Sequence, residues 1–116
     1  MKIGSRYTLE RPTTGEVLGT LTVTEAGPFA VAGIFVALPA FDPYRPLFDE
    51  DARLARQLAE DPDPELLERA EAVLDGLMSL GLILRGESGR GYRDFLLGID
   101  GDEASFRPLT PEEVPL

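Results

Sequence analysis

The chain contains no cysteine and no histidine. Without cysteine there are no disulfides, thiolate nucleophiles or zinc-thiolate centres, and nothing supports a secreted, cross-linked scaffold. Without histidine as well, neither a Ser-His-Asp nor a Cys-His constellation can be assembled. A metal site would have oxygen ligands only, suited to magnesium, calcium or manganese. Basic charge is also scarce, with 11 lysines and arginines against 21 acids and a formal net charge of −10. Binding to a nucleic-acid backbone needs clustered cations, so no direct nucleic-acid contact is expected. Lys2 is the sole lysine, Gln57 the sole glutamine, and asparagine is absent, a bias of GC-rich genomes and of thermophiles.

Long apolar runs are missing too. Phe29 to Leu38 is the longest, 10 residues, about half of the ~20 that span a bilayer. The N-terminus, MKIGSRYTLERP, has no apolar core of signal-peptide length. The expectation is a cytoplasmic protein with no membrane partner.

What is present suits one domain. A chain of 116 residues falls in the commonest domain size and buries about two thirds of its unfolded surface. Val17 to Leu38 forms the centre of the pattern, two strand-like runs joined at Glu25-Ala26-Gly27-Pro28. Before it, Ile3, Ser5, Tyr7 and Leu9 alternate with Gly4, Arg6, Thr8 and Glu10, which predicts a strand over about 3 to 11. A three-residue loop, Thr13-Thr14-Gly15, sets Tyr7 opposite Leu21 and Leu9 opposite Gly19 and puts Gly15 at the positive-φ site of a G1 bulge. The third run, FAVAGIFVAL, is apolar on both faces, and such a strand is normally covered on both.

Pro39 to Phe48, PAFDPYRPLF, reads as a loop because its prolines interrupt any period. Asp49 to Glu60 has the spacing of a short amphipathic helix with Asp49, Glu50 and Asp51 in its first turn, where the macrodipole favours anions. Asp63 as N-cap and Pro64 at the first helical position open a second helix that Gly81 ends. Asp42 to Asp75 holds eleven acids and four arginines, a net −7 of the total −10. The helical hairpin therefore carries most of the charge.

Leu82 to Arg85 and Tyr92 to Ile99 read as strands around the loop GESGRG. Asp100-Gly101 is a type I′ turn signal; centred there, the last hairpin sets Phe95 opposite Phe106, Leu97 opposite Ala104 and Asp94 opposite Arg107. The fold class is α+β: two antiparallel β-meanders, βββ-αα-βββ, forming one sheet or a partly closed barrel with a helical hairpin packed on it. Residues 1–116 make a single domain, and 109–116, punctuated by proline, is expected to fray.

No motif fixes a reaction. GESGRG lacks the lysine, the hydroxyl and the following helix of a phosphate-binding loop. Asp100-Gly101-Asp102-Glu103 resembles the start of a calcium loop, but Ala104 and Ser105 stand where an acidic ligand and the glycine belong. No catalytic, cofactor-binding or metal-ligating residue is assigned and no cofactor is expected. The expected function is a non-enzymatic protein-interaction or regulatory module. Its partner is a protein, basic in charge, or a second copy of the chain.

The interface candidates are Phe41, Tyr44, Arg45 and Phe48 of the proline-aromatic segment, rich in hot-spot residue types, and Glu68 and Glu71 of the acidic helix. The aromatics have a structural alternative, capping the core where strand three hands over to the helices. One rival function is a small-molecule binder with a pocket between sheet and helices, where Gly19, Gly33 and the alanines of strand three leave room. The other is a carboxylate-dependent hydrolase assisted by magnesium or calcium.

Overall fold

The computed structural model describes residues 2–116. Eight strands form one antiparallel sheet: β1 Arg6–Arg11, β2 Glu16–Ala26, β3 Val31–Ala37, β4 Ile83–Gly86, β5 Arg90–Tyr92, β6 Phe95–Asp100, β7 Glu103–Pro108 and β8 Val114–Pro115. Their order is β6-β7-β3-β2-β1-β4-β5-β8, and the sheet curls into a half-barrel. Two helices, α1 Arg45–Glu60 and α2 Pro64–Met78, form a hairpin packed on it. The fold is α+β, as the pattern implies. The three N-terminal strands are its centre, and the C-terminal strands divide around them, β7 pairing with β3 and β4 with β1.

The β1–β2 hairpin has the expected register, Tyr7 with Leu21 and Leu9 with Gly19, by a different route. Its turn is four residues long, because Arg11 pairs with Glu16 and the Gly15 N–H donates to the Arg11 carbonyl. The extra residue is recovered at Leu18, which bulges between the Leu9–Gly19 and Glu10–Val17 pairs. Gly15, with φ of +72°, still supplies the left-handed turn residue. Residues 3–5 lie outside β1, since Gly4 takes φ of +88° and breaks the extended run.

Two further expectations are corrected. Pro39–Tyr44 is a 3-10 helix rather than a loop, and α1 follows from Arg45 with a proline in its first turn. Proline fits there because the first N–H groups of a helix have no intrahelical partner. Asp49, Glu50 and Asp51 are therefore displaced out of the first turn, which has no acid. The second helix starts as read: the Asp63 carboxylate accepts from the Glu65 N–H at 2.9 Å, and Pro64 follows.

The last hairpin is shifted by two residues, pairing Leu97 with Phe106 and Asp100 with Glu103. Gly101, φ +65°, then takes the first central position of the turn. The register read from the sequence would place Asp100 there, and aspartate tolerates positive φ less well than glycine. A two-residue shift keeps every side chain on its own face. Residues 109–116 are joined to the sheet rather than loose, with Val114–Pro115 paired to β5 and the Arg90 guanidinium donating to the Glu113 carbonyl at 3.0 Å.

The concave face carries the core. Tyr7, Leu9, Leu21, Val23, Phe35, Leu84, Tyr92, Leu97 and Phe106 gather there with Phe41, Phe48 and Leu77 from the helical segment. Phe35 meets Phe41 at 4.9 Å and Phe41 meets Phe48 at 5.3 Å between ring centroids, distances at which tilted rings attract. A Cβ on Gly19 would lie 2.4 Å from the Phe35 ring, so the space this glycine leaves is filled by Phe35.

The expectation that β3 is covered on both faces fails. Val31 and Phe35 are buried, but Ile34, Val36 and Leu38 on the other face are 49%, 59% and 41% exposed.

Candidate functional site

The sequence-derived interface residues divide. The Phe41 and Phe48 rings are buried in the core. Tyr44 is half-buried; its hydroxyl donates to Glu16 Oε1 at 2.8 Å and accepts from the Arg11 guanidinium at 3.0 Å, fastening the 3-10 helix to the first hairpin. Hydrogen bonds from Thr14 and Tyr44 hold the Glu16 carboxyl below its ordinary range. The Arg45 guanidinium lies 4.9 Å from the centroid of the Phe41 ring, a cation–π contact within the fold. Glu68 and Glu71 are exposed on α2.

A concavity lies elsewhere, on the convex side of the sheet. Helix α1 runs along β6, the edge strand, and beside it the outward-facing residues of β6, β7 and β3 line one concavity with the helix. Between helix and sheet is a groove of about 820 Å³, within the ~300–1,000 Å³ usual for small-molecule sites. Its floor follows from the register: Gly98 pairs with Ser105, Ser105 with Ala32, and Glu103 lies between Asp100 and Ile34. Period-two alternation turns these residues away from the core. The α1 wall is Asp51, Ala52, Ala55 and Arg56. Small side chains on both sides keep the space open.

Gly98 is central to this shape. A Cβ there would stand 3.1 Å from the Ser105 hydroxyl and 3.9 Å from Asp51 Oδ2, so any side chain at 98 would project between them. Asp51 is half-buried, and loss of water pushes its carboxyl above the usual aspartate range. No hydrogen bond or ion pair to another described residue offsets this, since desolvation is the one cause of the shift. Its neighbour Glu50 differs, held by Arg53 and lying 3.7 Å from Arg69 of α2. Arg56 is paired with Asp100 at the groove's end.

The sequence points to a pocket between sheet and helices through Gly33 and the strand-three alanines, but not to Gly98, Ser105 or the α1 alanines as its lining. Gly98 inside a strand and the alanines of α1 are the available signals, and each also suits close packing alone. Of the residues expected to leave room, Gly33 and the strand-three alanines Ala30 and Ala32 line the groove, while Gly19 faces the Phe35 ring instead. Among the described residues, no three acidic side chains gather as a metal-binding group, and no helix is long and apolar enough to cross a membrane. Comparison of the chain with protein-family models, with curated proteins and with solved structures gives no match.

Proposed function

We propose that this domain is a non-enzymatic binding module that holds an apolar small molecule in the groove between α1 and the outer face of β6, β7 and β3. The observation that supports this reading is the groove itself: large enough for a ligand, floored by the sheet, and lined by Ala32, Ile34, Ala52, Ala55 and Leu96 together with charged side chains of both signs. Sites of this composition gain affinity from apolar burial and orientation from the polar minority.

The test is fluorescence titration with a neutral polarity-sensitive dye. The wild-type protein gives one saturable site; Gly98→Leu, which fills the floor, and Ala55→Trp, which narrows the wall at an exposed position, each abolish it. Equal dye binding by all three proteins overturns the reading.

A second reading, a protein-interaction surface, is favoured by the uncovered strip of Ile34, Val36 and Leu38 with Val17 beside it, 40% exposed. Self-association through this strip makes sedimentation depend on concentration, and Val36→Glu removes that dependence. Sedimentation unchanged between the wild type and Val36→Glu counts against it.

A further inference from the structure

We propose that the groove's ligand is an organic cation, an apolar body bearing a protonated amine, whose charge is met by the Asp51 carboxylate over Gly98. This rests on the small-molecule reading and names its ligand class.

Three observations converge. Asp51 is half-buried on the groove wall with no partner among the described residues, while the charged groups beside it, Glu50 and Arg56, are both engaged within the fold. An unpaired, partly desolvated carboxylate is costly in the empty domain, and an entering cation removes that cost. Next, the groove is negative: Glu25, Asp51, Asp100 and Glu103 stand against Arg56 and Arg107. With Asp100 and Arg56 neutralising each other, an anionic ligand would face three acids and one arginine. Finally, the missing side chain at Gly98 leaves an opening beside Asp51 Oδ2, with the Ser105 hydroxyl on its other side. A primary ammonium has three N–H donors, so it can serve the carboxylate and the hydroxyl together.

The discriminating experiment uses three ligands with one apolar body, octylamine, octanol and octanoate, titrated calorimetrically below their aggregation concentrations at neutral pH. The amine binds about ten-fold more tightly than the alcohol, a charge-assisted hydrogen bond's worth of affinity, and octanoate binds most weakly. Asp51→Asn brings the amine down to the alcohol's affinity and leaves the alcohol unchanged; Gly98→Leu removes both. Equal binding of amine and alcohol by the wild type, both lost in Gly98→Leu, overturns the cation assignment and leaves the groove standing. Absence of binding by all three overturns the groove reading and this one with it.

Discussion

The Tyr7 hydroxyl donates to Glu113 Oε1 at 2.6 Å, joining residues 106 positions apart. Tyr7 belongs to β1, whose neighbours are β2 and β4, while Glu113 immediately precedes β8 at the sheet's far edge. The bond fastens the C-terminal segment across the end of the half-barrel. Glu113→Ala should lower stability by about 1 kcal/mol, the net worth of one such bond. Chemical denaturation measures it, and an unchanged midpoint would show that β8 holds without the bond.

The same contact sets an alkaline limit. Burial, with the Glu113 hydrogen bond and charge adding to it, pushes the Tyr7 hydroxyl well above its ordinary value of 10.0; burial also raises Tyr92. The folded chain keeps these protons after the unfolded chain has released them, so their contribution is complete below about pH 10 and declines as pH rises above it. Stability should therefore fall above pH 10, and less steeply in Tyr7→Phe. Parallel stability–pH curves for the two proteins would contradict this.

The two aromatics of the proline-rich segment should respond very differently to truncation. Phe41 is fully buried between Phe35 and Phe48, and Phe41→Ala should cost about 3–5 kcal/mol. Tyr44→Phe keeps the half-buried ring and loses the hydrogen bonds to Arg11 and Glu16, a cost of about 1 kcal/mol. Similar losses at the two positions would mean that Phe41 is not the core residue described above.

Gly101 selects the register of the β6–β7 hairpin through its φ of +65°. Gly101→Ala should destabilise by about 1–2 kcal/mol, and amide exchange should accelerate first in β6 and β7. A stability change of zero would indicate a turn with ordinary negative φ.

How far the fold could be read follows where the specifying chemistry is local. Tyr7–Leu21 and Asp63–Pro64 were legible because a turn glycine, an alternation or a cap lies within a few residues of the feature it fixes. The pairings of β3 with β7 and of β1 with β4 were not, since backbone hydrogen bonds between distant strands are open to almost any side chain. Ile34 and Val36 misled for a related reason: apolar character shows that a side can be buried, and only the position of α1 decides that most of it is left open. A pocket between sheet and helices was legible in outline from Gly33 and the strand-three alanines, but its lining was not, because Ala32, Asp51, Gly98 and Ser105 come from four separate elements.

Asp51 should show a trade between stability and binding. Its folded-state pKa is raised above the ordinary 3.8 by desolvation, so the stabilising proton is retained at low pH and lost as pH rises through the folded value. Arg56, Asp100, Glu103 and Arg107 share the groove and are common to both proteins compared. At neutral pH, Asp51→Asn should therefore raise the Tm of the empty domain while weakening its hold on an amine. A lower Tm for the variant at pH 7 would show that the carboxylate is stabilised by the fold.

The most direct test of the groove assignment is a two-dimensional amide NMR titration of the labelled domain with octylamine. Saturable shifts are expected at Ala52, Ala55, Gly98 and Ser105, fitting one dissociation constant, with Val36 and Leu38 unmoved. Shifts centred on Val36 and Leu38, or no saturable change at Gly98 and Ser105, would contradict it.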